Sequence, residues 1–323
     1  MLSSRGLAVI TLFGSIWFGN SSAVVGQEKV SEAVQAEKIR GEVTALQPRT
    51  AEGDARAAYQ LGLIYMNGTG IQQNYLEAAT WYRQAAEHGL AEAQFMLGYL
   101  YEQGKGMRRD YKQAATYYTA AAKQGHATAQ NNLASMYEHG QGMAKNVQEA
   151  AGWYRAAAKQ GEVTAQCNLA SLYFNGRGVP QDKVQAAAWF RAAAERGYAP
   201  AQENLAWMYY TGTGVALDYG EAANWVQRAA EKGYARAQLD LGYLYEQGKG
   251  VPLDYISAYT WYSSAVEKGE RAGQGKLKEL AKLMTPQQIS AAAARVAELP
   301  ASPGAATSED RTSATQSIFP KRR

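Results

Sequence analysis

Residues 233–268 read GYARAQLDLGYLYEQGKGVPLDYISAYTWYSSAVEK, and this 36-residue stretch is repeated in kind along the chain. Stepping back 36 residues at a time from Gly233 lands on Gly197, Gly161, Gly125, Gly89 and Gly53 without insertion, and Gly269 opens a degenerate seventh unit. Position 9 of the unit is always leucine (Leu61, Leu97, Leu133, Leu169, Leu205, Leu241). Position 13 is always tyrosine (Tyr65, Tyr101, Tyr137, Tyr173, Tyr209, Tyr245). A constant period with constant residue types at constant offsets marks an architecture in which each unit is one supersecondary element.

Each unit reads as two helices. Alanine at position 5, leucine at 9, an aliphatic or Met at 12 and tyrosine at 13 make one apolar stripe at spacings of three and four, so the first helix covers about positions 3 to 15. Glycine at 16 ends it by adopting a left-handed conformation, and a second glycine at 18 lets the chain turn. Position 22 is Asn or Asp throughout (Asn74, Asp110, Asn146, Asp182, Asp218, Asp254), and position 25 is Glu or Gln in the first five units. That pair predicts a capping box at the start of the second helix. This helix runs to about position 35, with alanines at 26 and 33 and a large ring at 29: Trp81, Tyr117, Trp153, Trp189, Trp225, Trp261.

Small residues let helix axes approach, and large rings fill the gaps that remain. The ring at position 29 is assigned that filling role, so Trp153→Ala is expected to open a cavity costing about 3–5 kcal/mol. One helical hairpin cannot bury its own stripe, so the units must stack around a shared core. The predicted fold is all-α: a right-handed α/α superhelical solenoid of six helix-turn-helix repeats with terminal capping helices.

The flanks read differently. Arg5 precedes an apolar run from Leu7 to Phe18, and Ser21 with Ala23 offers small residues for a signal-peptidase cut after Ala23. The run is too short to span a bilayer, which needs about 20 apolar residues. The domain reading is a signal peptide over 1–23, an N-terminal linker or capping helix over 24–52, six repeats over 53–268, a degenerate repeat with closing helices over 269–299, and a disordered tail over 300–323. Within 269–299, Thr285, Pro286 and Gln288 form a helix start signal. The expected location is the periplasm or the extracellular space.

The unit resembles the Sel-one-like repeat, a 36-residue relative of the tetratricopeptide repeat. The resemblance rests on A-x-A-Q-x-x-L-G-x-L-Y, then G-x-G-V, Asp-Tyr, A-A-x-W-Y and A-A-x-x-G, and it covers residues 53–268. It implies a superhelical adaptor that brings proteins together, often in bacterial envelope or host-interaction settings. One branch of that family carries a cysteine pair in each repeat and is associated with penicillin binding; this chain, with Cys167 alone, departs from it. Tyr117 in place of tryptophan, Val226 in place of the second aromatic, and Val147 and Lys183 after the cap are smaller departures.

In helical solenoids the first helices line the concave surface. Positions 4, 7, 11 and 14 vary between units and share a face outside the core stripe. From them the candidate protein-binding groove is Tyr59, Leu63, Phe95, Tyr99, Asn131, Glu203, Trp207, Tyr210, Leu239 and Tyr243, a ladder with aromatic ends and a polar middle. Two readings of its rings stay open: contact with a protein or peptide partner, and packing between adjacent repeats. Cys167 lies on the same face and has two readings, an intermolecular disulfide in an oxidising compartment and the small buried hydrophobe that a lone cysteine ordinarily is.

No catalytic, cofactor or metal site emerges. G-x-G pairs such as Gly68 and Gly70 follow a helix and lack the third glycine of a dinucleotide fingerprint. In Gly98–Lys105 and Gly242–Lys249 a glycine stands where a phosphate loop needs Ser or Thr. His88, His126 and His139 have no partner at ligand spacing and read as solvated. With 33 basic against 29 acidic residues, the net charge of +4 is too dilute for a nucleic-acid footprint. The function read from the sequence is a non-catalytic interaction scaffold; the alternative is an envelope enzyme or a cell-wall carbohydrate binder. Oligomeric state is not read.

Overall fold

The computed structural model describes residues 21–68, 70–299 and 318, with side chains from 34 onward. The leader expected over 1–23 therefore lies outside the described residues except at its last three positions. Among the described residues there are fifteen α-helices and no strand. The chain divides into two compact units, one ending at His88 and one starting at Gly89.

The first unit holds α1 (Ser21–Ala51), α2 (Ala55–Asn67) and α3 (Tyr75–Glu87). Leu46 of α1 is buried with Ala57 and Leu61 of α2, and Val43, Ile64 and Trp81 pack against them. Gln84 Nε2 donates to the Thr50 carbonyl at 2.8 Å, tying α3 to the end of α1.

The second unit continues the hairpins with α4 (Ala91–Gln103) and α5 (Tyr111–Lys123), α6 (Ala127–His139) and α7 (Val147–Lys159), and α8 (Val163–Asn175) and α9 (Lys183–Glu195). It is completed by α10 (Ala199–Thr211) and α11 (Tyr219–Glu231), α12 (Ala235–Gln247) and α13 (Tyr255–Glu267), and the closing helices α14 (Gly273–Leu280) and α15 (Pro286–Glu298). Within each repeat the helices cover positions 3–15 and 23–35, as the periodicity predicts. Glycine ends the first helix as expected: Gly176 takes φ 66° and donates its N–H to the Leu172 carbonyl.

The glycine at position 18 does more than turn the chain. A Cβ on Gly178, itself at φ +69°, would collide with the backbone carbonyl of Val147, the first residue of the preceding repeat's second helix. Gly142 faces Tyr111, Gly214 faces Lys183 and Gly250 faces Tyr219 in the same way. Backbone meets backbone at every one of these repeat boundaries.

The capping at position 22 differs from the sequence expectation. The side chain caps as predicted: Asp182 Oδ1 accepts from the amides of Val184 at 3.0 Å and Gln185 at 2.9 Å. The Asp182 N–H, however, donates to the Tyr173 carbonyl at 2.9 Å, and the same bond recurs from Asn74 to Tyr65 and from Asp254 to Tyr245. The interhelical turn brings the position-13 carbonyl to the amide that the Glu or Gln at 25 would have bonded. A full capping box forms once among the described residues, where Thr285 Oγ1 accepts from the Gln288 amide and Gln288 Oε1 accepts from the Thr285 amide.

The role assigned to the position-29 ring is also corrected. Trp153 is half-buried, while the next residue, Tyr154, is 1% exposed and belongs to the core cluster. Position 30, carrying Tyr82, Tyr118, Tyr154, Phe190, Val226 and Tyr262, is buried in every repeat, whereas of the position-29 rings Trp225 alone, beside the smaller Val226, is buried with it. It lies over position 10, which is glycine or alanine: a Cβ on Gly98 would come within 2.8 Å of the Tyr118 ring. Consecutive helical residues point about 100° apart, so helix orientation selects which aromatic goes inward.

A buried polar ladder locks the stack. The glutamine at position 6 donates to the carbonyl at position 34 of the preceding repeat: Gln130 to Ala122 (3.0 Å), Gln166 to Ala158 (3.1 Å), Gln202 to Ala194 (3.0 Å) and Gln238 to Ala230 (3.1 Å). Each of these carbonyls also accepts the N–H of the glycine that opens the next repeat, so the glutamine amide takes its second lone pair and ties the turn to the following helix. The second unit is an α-solenoid of stacked repeats closed by α14 and α15.

Candidate interaction face

The sequence-derived groove residues fall into two groups. In the first unit, Tyr59 and Leu63 are half-buried on α2, with the Tyr59 ring 5.7 Å from that of Tyr82. In the second unit, Phe95 packs inward, stacked on His126 at 4.7 Å and tilted against Tyr118 at 5.8 Å. Tyr99 is half-buried, and Lys105 Nζ donates to its hydroxyl at 3.2 Å.

Three of the groove residues are buried and offer no free surface. Leu239 is 4% exposed and Glu203 6%. Asn131, at 9%, donates to Asn132 and accepts from Asn168, each at 3.2 Å. Position 7 turns toward the adjacent repeat's first helix, and stacking covers it. Cys167, at the same position, is fully buried, as a small hydrophobe would be.

Position 14 divides by side chain. Its glutamates accept from the buried position-30 tyrosine sixteen residues on: Tyr118 to Glu102 (2.7 Å), Tyr154 to Glu138 (2.9 Å) and Tyr262 to Glu246 (2.6 Å). Burial, then the neighbouring carboxylate, holds all three phenols well above their ordinary pKa of 10.0. The fourth and fifth repeats carry Phe174 and Tyr210 there instead, opposite Phe190 and Val226, which have no hydroxyl to satisfy.

What the helices do bring together is an aromatic face on α8, α10 and α12. Phe174 and Trp207 meet edge to face at 5.7 Å and border a small hollow of ≈ 60 Å³ with Ser171 and Asn204. Lys249 Nζ donates to Tyr210 Oη at 2.9 Å and lies 4.9 Å from that ring's centre and 5.1 Å from Tyr219's. Burial, then the Tyr210 hydroxyl, pushes the Tyr243 phenol above 10.0. All four rings, Phe174, Trp207, Tyr210 and Tyr243, are half-buried against the core cluster of these repeats. Such a surface offers stacking area, phenolic hydrogen bonds and two cations, Lys249 and Lys183, whose Nζ lies 5.4 Å from the centre of the Phe174 ring.

The histidines are not uniformly solvated. His126 is the N-cap of α6, its Nδ1 accepting from the Ala129 amide at 3.2 Å, and burial lowers its pKa from 6.5. No cluster of three or more His, Cys, Asp or Glu that could hold a metal occurs among the described residues. No helix among them is long and apolar enough to cross a membrane.

The Sel1 repeat family model matches six consecutive segments, residues 55–90, 91–126, 127–162, 163–198, 199–234 and 235–270. The chain belongs to the Sel1 repeat family. A Sel1 repeat protein from Oxalobacter formigenes is similar over 76% of this chain and 97% of its own, at 31% identity and a TM-score of 0.63. A protective antigen of uropathogenic Escherichia coli strains, itself described as displaying an SLR fold, matches over 82% of this chain and 76% of its own, at 26% identity and a TM-score of 0.35. The immunity protein Pa5087 of Pseudomonas aeruginosa matches over 66% and 81%, at 21% identity and a TM-score of 0.41. No protein of curated function matches the chain. Sel1 repeat proteins typically serve as protein–protein interaction scaffolds, and no enzymatic family is indicated.

Two features of this Sel1 array escaped the sequence reading. Lys249 sits in the loop after α12, and its approach to Tyr210 depends on neighbouring repeats stacking. Asp240, on α12, is 1% exposed and accepts the amide of Ile318 at 3.1 Å. The one available signal was the residue type: position 8 reads Gln60, Met96, Asn132, Asn168, Asn204 and then Asp240, the single acid of the series.

Proposed function

We propose that this Sel1 repeat protein is a non-catalytic adaptor of the periplasm or the extracellular space that holds a protein or peptide partner in a concave groove along its first helices. The observation that carries the reading is the retention of Phe174, Trp207, Tyr210 and Tyr243 as large, half-exposed rings on neighbouring first helices. Large rings concentrate binding energy because they bring much area with few rotatable bonds. The leader-like start of the chain supports the location.

The test is partner capture in intact cells by a photo-crosslinking residue placed at Tyr99, followed by mass spectrometry. Trp207→Ala and Tyr243→Ala are expected to reduce the yield of a specific protein adduct while helicity by circular dichroism stays constant. Unchanged capture by both variants refutes the groove assignment.

A further inference from the structure

Ile318 stands far along the chain from the repeats, yet it is 6% exposed and belongs to the apolar cluster that contains Cys167, Leu205 and Met208. Its backbone N–H donates to Asp240 Oδ2 at 3.1 Å, across a separation of 78 residues. Trp207, Tyr210 and Tyr243 pack against the same cluster. A carboxylate only accepts, and burying one is costly unless donors reach it. A main-chain amide supplied by another segment is such a donor.

We propose that Asp240 and the adjoining apolar cluster form a recognition subsite for a peptide that presents a branched aliphatic side chain beside a free main-chain amide, and that the chain's own Ile318 occupies this subsite in cis. The donor chemistry defines the ligand. An amide in the body of a helix is already bonded four residues back, so the ligand is extended, or at a helix N-terminus, at this residue. The acidic, acceptor-only character of Asp240 selects a donor and repels a partner carboxylate. A partner entering here competes with Ile318, so the tail tunes apparent affinity through the fraction of time the subsite is vacant. The inference rests on the groove reading above for its biological role, but not for its chemistry.

The test uses the full chain and a fluorescent peptide of residues 313–323, SATQSIFPKRR. Ile318→Glu in the full chain empties the subsite, and this variant is expected to bind the peptide at least ~10-fold more tightly than wild type, as cis occupancy above nine-tenths requires. Adding Asp240→Asn to Ile318→Glu is expected to weaken peptide binding ~10-fold, with circular dichroism unchanged. In the wild-type chain the Ile318 amide is expected to exchange with deuterium at least ~10-fold more slowly than in the free peptide. Equal peptide affinity for wild type and Ile318→Glu, no binding to either, indifference to Asp240→Asn, or free-peptide exchange at Ile318 each overturns the proposal. Those outcomes leave the capture test of Trp207 and Tyr243 standing, and failed capture with successful peptide binding sinks the groove reading alone.

Discussion

Tyr154 and Glu138 are joined across their hairpin by a 2.9 Å hydrogen bond from the phenol to the carboxylate, and Glu138 also meets Arg177 of the next repeat at 3.1 Å. The bond explains why a glutamate recurs at position 14 on a face that otherwise varies. It also separates the ring's packing from its hydroxyl. Tyr154→Phe should cost about 1 kcal/mol, the ordinary worth of one hydrogen bond. Tyr154→Ala should cost about 3–5 kcal/mol by opening a cavity, and Trp153→Ala clearly less. Denaturant midpoints of the three variants provide the check, and a Trp153→Ala cost above that of Tyr154→Ala contradicts the assignment.

The first repeat lacks this acceptor. Tyr82 is fully buried with no partner for its hydroxyl among the described residues, and Met66 stands at position 14. Met66→Glu is expected to stabilise the first unit by about 1 kcal/mol, read as a higher melting temperature. A lower one would show that the carboxylate cannot reach.

Glycines of equal φ sign should differ in cost. Gly125, at φ +91°, has nothing within 4 Å of the place a Cβ would take, so Gly125→Ala should cost only the left-handed backbone term of about 1 kcal/mol. Gly178→Ala adds a collision with the Val147 carbonyl and should cost about 3 kcal/mol or more. Equal costs in chemical denaturation would refute the close approach.

His126 makes stability depend on pH. Burial lowers its pKa from 6.5, with Glu92 opposing, and its Nδ1 must be unprotonated to accept the Ala129 amide. A base whose folded-state pKa lies below its unfolded value favours the native state when neutral. Its contribution is complete above pH 6.5 and lost as pH falls toward the folded pKa. His126→Ser, which keeps a capping oxygen, should flatten this acid-side loss in a series of melting temperatures between pH 7.5 and about 4.5. An unchanged slope in the variant assigns the loss elsewhere.

Because the N-cap amide is bonded to the position-13 carbonyl, the two halves of the expected capping box are unequal. Asp182→Ala removes two side-chain bonds and should cost about 1 kcal/mol, whereas Gln185→Ala should be within about 0.5 kcal/mol of wild type. A double-mutant cycle showing coupling between the two would restore the box.

The period, the helix limits, the glycine stops and the Asn or Asp caps were legible because each depends on residues within one turn of one another and is averaged over six copies. Those local rules also located the start of α15 at Thr285. The candidate face was legible as a set of variable positions but not as a surface. Position 7 looks equivalent to position 11 along one helix, and only the neighbouring helix covers Asn131, Cys167, Glu203 and Leu239 while leaving Trp207 and Tyr243 half open.

By itself, then, the order of residues determined an all-α tandem repeat and the place of every helix in it, since local hydrogen bonding and a 3.6-residue period suffice for that. Tertiary structure alone decided which of two adjacent aromatics turns inward, where the N-cap amides go, and that Ile318 comes to Asp240. Those outcomes compare contacts between segments sixteen, nine and seventy-eight residues apart, and such contacts exist only once the helices have packed.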